Sequence, residues 1–446
     1  MTEPSVAAEA GPVSENVFGA FGCKYGHEGH QVTRRVRLGG VEHQTALPTV
    51  GESDAFADWW KSSLVSPPAK PSDDAEPIRF MDLFSSVGGL TLGFSDAARS
   101  VGLRPVPVLA ADVDGGALSV YERNHRPRVA KLQSVRKLVD VSWTGQGSRT
   151  RFTRQPKWAS DDLARATRGV QAIVAGPPCQ GHSSLNNHSR GDDPRNQLYL
   201  TVPALAVAAD VDLVVIENVP NVVHDQHSVV SSAVSLLEQA GYQISVAVLA
   251  AHRLGWPQTR RRFFLVATRN LQTITLPQAM SVMERDALPV SWAIDDLLDT
   301  TDAEGCDTFN RSSSLSDANR SRVEWLFANK EYDLPNDERP DCHKDGHSYP
   351  AVYGRMRADQ PSGTITGGFL SPGRGRFVHP RAPRSLSPHE GARIQGFPDW
   401  FQFTGPDSEP KRTQLVKWIG DAVPPILGFT AGIAALSSID GFSGSR

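Results

Sequence analysis

A cysteine and a glutamate each follow a strand-like apolar segment, and together they could support covalent chemistry on a bound ring. Cys179 follows QAIVAG in a turn that two prolines make rigid, and Glu217 ends DLVVIE 38 residues later. A nucleophile needs a fixed backbone of this kind, whereas a cysteine without this context is usually an inert buried residue. For Glu217 the structural alternative is a buried ion pair, because an isolated carboxylate is costly to bury.

Two arginines on a later segment extend this polar set. In GWPQTRRRFF, Arg260 and Arg262 project to one side of a strand because side chains alternate with a period of two. Gln258 precedes them by two residues. The segment therefore adds two cations and an amide to the candidate site.

Glycines and an acid at the first two strands predict a cofactor site. DLFSSVGG places Gly88 and Gly89 after the first strand, where glycine lets a ligand approach the backbone and the next helix closely. Asp112 ends the second strand, where an acid commonly binds ribose hydroxyls. These residues indicate an adenosine-containing cofactor. A nicotinamide dinucleotide is the alternative, and the absence of G-x-G-x-x-G spacing disfavours it.

The elements that must position these residues are short apolar segments that alternate with helical patterns. Segments apolar on both faces are typical of buried parallel strands, and seven fit: IRFMDLF, PVLAA, VAKL, QAIVAG, DLVVIENV, ISVAVLAA and RFFLVAT. The segments between them are long enough for crossover helices. We therefore predict an α/β fold with a doubly wound, mostly parallel sheet.

Changes in composition divide the chain into four parts. Residues 1–77 form an N-terminal extension and linker, 78–270 the sheet domain, 271–410 a smaller irregular domain, and 411–446 a C-terminal helix that returns to the sheet domain. The extension contains a hairpin pattern, QVTRRVRLGGVEHQT, and ends in the proline-rich segment SPPAKPSDDAEP. We expect Trp59 and Trp60 to form a small core against the sheet domain.

The composition excludes several classes of protein. With 446 residues, 39% hydrophobic and 21% charged, the chain is neither disordered, fibrous nor disulfide-stapled. No stretch approaches the roughly 18 unbroken apolar residues of a membrane helix, and the N-terminus does not resemble a signal peptide, so we expect a cytoplasmic monomer without a membrane partner. The net charge of -3 permits a nucleic-acid groove without requiring one. Basic clusters stand at Arg149–Lys157, Arg260–Arg262 and Arg374–Arg384.

Two cysteine and histidine groups have metal-like spacing, but neither supplies four ligands. They are Cys23, His27 and His30, and Cys342, His343 and His347. We expect no metal site.

Ordered motifs over residues 78–446 resemble those of the DNA cytosine-5 methyltransferases. They are DLFSSVGG, DVDGGALSVYERN, GPPCQGHS, ENV, QTRRR, PSGTIT, RSLSPHEGARIQGFPD and GDAVPP. The resemblance implies S-adenosylmethionine as methyl donor, double-stranded DNA as substrate, and a small target-recognition domain. The target base must be flipped out, because C5 and C6 are unreachable within the stack.

The resemblance also implies a role for each residue of the candidate site. Addition of the Cys179 thiolate to C6 would let C5 attack the donor methyl group, because C5 alone is a poor nucleophile. Glu217 would stabilise charge at N3, and Arg262 would contact O2. Asn218 would orient the loop or the base, and Arg260 would hold the loop or a phosphate. Loss of the C5 proton and of the thiol would then restore the aromatic ring.

For the donor, the resemblance places Phe84 against adenine, Asp112 on the ribose and Val113 beside the ring, with Leu198 closing the pocket. The remaining residues expected at the donor site are Ser85, Gly88, Gly89, Ser134, Pro178, Asp421 and Val423. Contacts with DNA are expected from Gln180, Ser183, Gln258, Arg374, Arg376, Arg381 and Arg384.

The chain departs from the family pattern at four positions. Ser86, His182 and Asp421 stand where glycine, phenylalanine and asparagine are usual, and Ser134 stands where an acid is usual. Asp162 is the alternative acid, although its place after SDD is more typical of a helix cap. These departures concern contacts with the donor and leave the covalent chemistry intact.

The resemblance leaves the biological setting and the substrate polymer open. Restriction-modification or phage defence, beside a cognate nuclease, is the expected setting. The alternatives are methylation of RNA and a DNA-binding regulator that has lost catalysis. The motifs do not identify the target sequence, because base readout depends on side-chain geometry in the small domain.

Overall fold

The computed structural model describes residues 21–51, 53–72, 74–178, 198–344, 351–405 and 409–439. Cys179, Gln180, His182, Ser183 and His347 lie outside the described residues.

An antiparallel three-stranded sheet and a helix form the N-terminal part. They are β1 (Phe21–Glu28), β2 (Gln31–Leu38), β3 (Val41–Pro48) and α1 (Ala55–Val65). The hairpin expected from the sequence joins β2 to β3 through Gly39 and Gly40, both of which have positive φ. The Asp54 side chain caps α1 by accepting from two of its first backbone amides.

The remaining strands alternate with helices as the sequence pattern predicts, except that no α-helix separates the strands within residues 129–158 or within residues 243–268. The strands are β4 (Pro77–Leu83), β5 (Arg104–Asp112), β6 (Val129–Leu132), β7 (Val139–Asp140), β8 (Trp143–Thr144), β9 (Arg151–Phe152), β10 (Lys157–Trp158), β11 (Ala172–Ala175), β12 (Leu213–Asn218), β13 (Gln243–Ala250) and β14 (Arg261–Thr268). The helices are α2 (Gly89–Ser100), α3 (Gly115–His125), α4 (Asp161–Ala166), α5 (Thr201–Ala209), α6 (Val229–Gln239), α7 (Leu276–Met283), α8 (Val290–Ile294), α9 (Asp317–Ala328), α10 (Pro388–Gln395), α11 (Arg412–Asp421) and α12 (Pro425–Leu436).

Seven strands form the central sheet in the order β13-β14-β12-β11-β4-β5-β6. The five strands from β12 to β6 are parallel, and β14 runs antiparallel to both of its neighbours. The doubly wound, mostly parallel α/β fold is therefore confirmed. Because β14 is reversed, its first residues lie at the edge where β4, β5, β11 and β12 end.

The N-terminal part packs into the same hydrophobic core as the sheet domain. Trp60 contacts Trp256 and Phe429 edge to face, with ring centroids 5.5 and 6.1 Å apart. The Arg34 guanidinium lies over Trp59 and Phe429 and forms a bidentate ion pair with Asp96 of α2. Trp59 and Trp60 thus form a shared core, as expected.

Described residues beyond 270 contribute to three hydrophobic clusters, the smallest of which contains Val323, Leu326, Leu334 and Val378. Helix α7 packs into the core shared by β13 and α12, so the core of the sheet domain continues past residue 270. The rest of 271–410 is turn-rich, and its largest cluster joins Val290, Ile365 and Phe397 to the starts of α2 and α3. This second cluster connects the small domain to the end of the sheet where β4 and β5 lead into α2 and α3.

The segment Arg412–Leu436 is long and apolar enough by composition to cross a membrane, which the sequence analysis did not anticipate. Its most apolar window is 89% buried inside the protein. Helix α12 makes its largest contact with α2, as a core helix does.

Candidate active site

Glu217 is the next-to-last residue of β12, and its side chain pairs with Arg262, the second residue of β14. Its Oε1 accepts a hydrogen bond from Arg262 Nε at 2.8 Å, and the side chain is largely buried. Burial raises the pKa of this carboxyl, while Arg262 and Arg260 oppose the shift. The pair brings together two residues that the sequence separates by 45 positions. Its geometry also satisfies the structural alternative of a buried ion pair.

Asn218 supports the turn that leads to Cys179. Its Nδ2 donates to the Pro177 carbonyl at 3.1 Å, and its Oδ1 accepts from the Val219 backbone amide. The bond from the amide nitrogen to Pro177 joins the ends of β11 and β12. The amide oxygen is held by the next residue of its own segment. Cys179 follows Pro177 by two residues and lies outside the described residues.

Gly176 lies between the carboxyl of Glu217 and the start of the cofactor loop. A Cβ at this position would lie 3.6 Å from Glu217 Oε2 and 4.0 Å from the Phe84 carbonyl oxygen. The Gly176 amide also donates to Leu83 at the end of β4. The catalytic and cofactor candidates therefore meet at adjacent strand ends.

Arg260 and Gln258 face the interior. Arg260 is buried and donates to the carbonyls of Ile365 and Asp421, which ties β14 to the small domain and to the end of α11. Gln258 is 0% exposed, and its amide bonds to Ile394, Gln395 and Ile365. The hydrogen-bonding atoms of Gln258 are therefore engaged within the protein, and its contact with DNA stays a prediction.

Backbone conformation shapes the cofactor loop after β4. Phe84 and Ser86 have positive φ values of 59° and 47°, which residues other than glycine rarely adopt. The Ser86 amide donates to Asp112 Oδ2, and the Asp114 amide donates to Asp112 Oδ1, both at 2.8 Å. Asp112 is thus oriented by backbone donors while each oxygen retains capacity for another bond.

Several residues expected to bind the methyl donor lie in or beside this loop. They include a buried hydroxyl group and an exposed apolar side chain. The Ser85 hydroxyl is buried and has no hydrogen-bond partner, and Val113 is 72% exposed although it is apolar. Pro178 and Leu198, at the two ends of the segment that is not described, are half-buried. An adenosine-type ligand would provide both a polar partner for Ser85 and a cover for Val113.

The two glycines that open α2 are required by close packing. A Cβ at Gly88, whose φ is 93°, would lie 2.2 Å from His125 Nε2. A Cβ at Gly89 would lie 2.5 Å from the carbonyl oxygen of Val423, which is itself buried. Gly88 and Gly89 therefore allow His125 and the Val423 backbone to pack closely against the start of α2.

The remaining residues considered for binding the methyl donor are Ser134, Asp421 and Asp162, and the two aspartates form ion pairs within the chain. Ser134 is half-buried before a short 3₁₀ turn and makes no side-chain cap bond. Asp421 pairs with Lys417 at 3.1 Å. Asp162 lies in the first turn of α4, where Ser160 is the cap, and pairs with Arg165.

Two functional candidates, Asp82 and Tyr199, were not identified from the sequence. Asp82 is buried and accepts from the Thr91 hydroxyl at 2.5 Å, which in turn contacts the Tyr121 hydroxyl. Burial raises the pKa of Asp82 to about 8. Tyr199 is buried with an unpaired hydroxyl, and its pKa is raised by burial and by the nearby Glu217 charge. The only available signal was that Asp82 lies inside DLFSSVGG and Tyr199 directly after Leu198.

Three of the four arginines expected on DNA have ion-pair partners within the chain. Arg376 pairs with Asp333, Arg381 with Asp295, and Arg384 with Glu390. Arg384 is largely buried and neutralises a fully buried carboxylate, a structural position. Arg374 is exposed and has no ion pair with any residue that the structure describes. It is the best placed of the four for an external phosphate.

Metal chemistry has no candidate in the described part of the chain. No three histidine, cysteine, aspartate or glutamate side chains come together there as ligands. His27 pairs with Asp58, and Cys23 is buried in the shared core.

The chain was compared with known proteins and structures. A family model described as C-5 cytosine-specific DNA methylase matches residues 78–432. The type II methyltransferase M1.BsuMI of Bacillus subtilis (strain 168) is 40% identical over 362 residues, which cover 81% of each chain. The type II methylase M.HgiDII of Herpetosiphon aurantiacus is 30% identical over 354 residues, which cover 78% of this chain and 92% of that protein.

Solved structures show the same fold. An E. coli prophage-encoded protein described as a DNA modification methyltransferase aligns with a TM-score of 0.58 at 21% identity, covering 81% of this chain and 99% of that one. S. pombe Dnmt2 methyltransferase aligns with a TM-score of 0.54 at 16% identity, covering 82% and 100%. At these identities the likeness concerns the fold alone.

Proposed function

The chain belongs to the C-5 cytosine-specific DNA methylase family and is a DNA cytosine-5 methyltransferase, and we propose that it works through a covalent Cys179 intermediate on a flipped-out cytosine. The observation that carries this proposal is the buried Glu217–Arg262 pair at the strand edge where the Pro177 turn leads to Cys179. An acid with a raised pKa beside a cation suits a ring that gains negative charge at N3.

The residues of this edge would act in sequence on the ring. The Cys179 thiolate forms a bond to C6, and the electron pair of the C5–C6 double bond becomes available at C5. Glu217, favoured in its protonated form by burial, donates a hydrogen bond or proton to N3. Arg262 holds Glu217 and contacts O2. After methylation, loss of the C5 proton and expulsion of the thiolate regenerate the double bond.

The cofactor loop fits S-adenosylmethionine, which would supply an electrophilic methyl group. Asp112, held by two backbone amides, would accept from ribose hydroxyls. The buried Ser85 hydroxyl would gain a partner, and Val113 and Phe84 would cover an adenine. Each of these assignments is a proposal that binding measurements on single variants can test.

We place the enzyme in a type II restriction-modification system beside a cognate nuclease. Two similar proteins carry the name type II methyltransferase or methylase, which supports this setting. Methylation would then protect short sites on double-stranded DNA from cleavage or contribute to phage defence. Bisulfite sequencing of a host that expresses the protein would identify the target sequence.

A fluorinated substrate tests the covalent step. Fluorine at C5 of the target cytosine blocks loss of the C5 substituent, so the enzyme should remain attached to DNA after methyl transfer. We expect a denaturation-resistant complex, in the presence of S-adenosylmethionine, that maps to the peptide containing Cys179. Replacement of Glu217 by glutamine should slow its formation about 100-fold while DNA binding persists.

Matched cysteine variants make the assignment specific. Cys179→Ser should abolish the complex, whereas Cys342→Ser should leave it unchanged, because Cys342 is an exposed thiol in the small domain. An adduct at Cys23, Cys306 or Cys342 would overturn the site assignment. No adduct on a verified target site with the donor bound would overturn the mechanism.

A further inference from the structure

A small cavity lies between the N-terminal sheet and the sheet domain, away from the strand edge that holds Glu217. Its volume is about 70 Å³, and its walls come from β2, β3, α1, α2 and the segments around residues 398 and 425. Most of the lining is apolar, including Leu47, Leu92 and Pro398. No role in the proposed methyl transfer involves this cavity.

Four buried N–H groups of the lining have no hydrogen-bond partner among the residues that the structure describes. They are Arg34 Nε and the indole Nε1 atoms of Trp59, Trp60 and Trp400. Arg34, Trp59 and Trp60 are each at least 95% buried, so bulk water does not satisfy these groups. Buried donors in native proteins are almost always paired. All four unpaired atoms of this lining are donors, so the missing partner must be an acceptor.

The charges of the lining indicate an anion. Arg34 is neutralised by its bidentate pair with Asp96, whereas the neighbouring Arg99 guanidinium has no ion pair with a described residue. Burial lowers the pKa of Arg99, with Asp96 opposing this shift and Arg34 reinforcing it. The two arginines and one aspartate leave the lining with one net positive charge. A single negative charge would balance it.

The size and polarity of the cavity narrow the class of ligand. A volume of about 70 Å³ accommodates only a few non-hydrogen atoms. A water molecule accepts at most two hydrogen bonds and must also find acceptors for its own two protons, whereas a carboxylate accepts from up to four donors and brings none. Phosphate carries more charge than the lining balances and no apolar part. A carboxylate with a short aliphatic tail matches both the donors and the apolar walls.

We propose that this cavity is a binding site for a small aliphatic monocarboxylate. The carboxylate accepts from the indole and guanidinium N–H groups and lies beside Arg99, while its tail packs against Leu47, Leu92 and Pro398. Binding bridges α1 and α2 and therefore stabilises the contact between the N-terminal part and the sheet domain.

Calorimetric titration of the full chain with sodium propionate tests the site. Ligands of this size bind weakly, so a dissociation constant on the order of 1 mM is expected. Propionamide, a neutral isostere, should bind at least tenfold more weakly, because it lacks the charge. The Cys179→Ser variant should bind propionate as the wild type does, which separates this proposal from the catalytic one.

Conservative variants locate the ligand. Arg99→Gln should weaken propionate binding about tenfold or more because it removes the positive charge, and Trp400→Phe about threefold to tenfold because it removes a donor while keeping most of the volume. Arg104→Gln and Trp158→Phe, which change residues outside the lining, should bind normally. Thermal unfolding without ligand checks that each variant is folded.

Each of the following results would overturn the proposal. One is the absence of propionate binding, which is also what a cavity filled by water alone predicts. Another is equal binding of propionate and propionamide. The others are binding of inorganic phosphate more tightly than propionate, and propionate binding that both Arg99→Gln and Trp400→Phe leave unchanged.

Discussion

At the scale of single residues, the environment of Glu217 determines how the reaction depends on pH. Burial raises its pKa and the Arg262 guanidinium lowers it, so the protonated carboxyl persists to higher pH than in water. If this form is the active one, the single-turnover rate falls as the pH rises through the pKa of Glu217. Arg262→Gln removes the opposing cation and should move this decline to higher pH. Arg262→Lys, which retains the charge, should move it less.

The same experiment contains its own check. In Glu217→Gln the decline at high pH should disappear, because no proton is left to lose at this position. A decline that is identical in wild type, Glu217→Gln and Arg262→Gln would assign it to a different group.

Arg374 is the residue of the basic cluster from which we expect a contact with a DNA phosphate. Arg374→Ala should weaken binding to all sequences and reduce the slope of log affinity against log salt by about 1. Arg104→Ala is the matched control, because Arg104 begins β5 at the opposite edge of the sheet from the site and is also exposed. Equal slopes for the wild type and Arg374→Ala would place the phosphate groove elsewhere, with Arg149–Lys157 as the next candidate.

At the scale of elements, Asp82 links β4 to the two helices that follow the cofactor strands. Its carboxyl bonds to Thr91 of α2, whose hydroxyl contacts Tyr121 of α3. Burial raises its pKa to about 8, so the folded state holds a proton that the unfolded chain releases near pH 4. The resulting stability is complete below about pH 4, declines as the pH rises, and is lost once the pH has passed about 8.

Replacement of Asp82 by asparagine should remove this dependence. Between pH 5 and 8, the free energy of unfolding of the wild type should fall relative to that of Asp82→Asn by about 3 kcal/mol, measured by urea denaturation. Thr91→Val removes a hydrogen bond that lowers the pKa of Asp82. The decline should therefore extend to higher pH in Thr91→Val. Parallel pH profiles for wild type and Asp82→Asn would show that Asp82 is ionised throughout.

At the scale of the whole molecule, the N-terminal part behaves as a component of the core. Phe56 of α1 packs against Tyr25 and Trp60, and its ring occupies the space beside Gly255, where a Cβ would lie 2.4 Å away. Phe56→Ala should lower the free energy of unfolding by about 3 to 5 kcal/mol, as expected for a buried aromatic. Val41→Ala, on an exposed position of β3, should change it by less than about 0.5 kcal/mol.

Unfolding should also remain a single transition that carries both parts. Tryptophan fluorescence reports on nine tryptophans, which include Trp59 and Trp60, and circular dichroism reports on the secondary structure of the whole chain, so coincident curves are expected in wild type and Phe56→Ala. Curves that do not coincide would contradict unfolding of the two parts as one unit.

The sequence by itself determined the fold class, the sheet edge that carries the candidate site, and the family. These features follow from local information, because apolar periodicity reports strands and helices, and parallel strands bring their carboxyl ends to one edge. The tertiary structure alone decided which polar side chains form hydrogen bonds or ion pairs within the protein. Gln258 meets Ile394, Arg34 meets Asp96, and Arg381 meets Asp295. Whether a cation faces DNA or a carboxylate of the same chain depends on which distant segments fold against it. The spacing of residues within a motif carries no information about those segments.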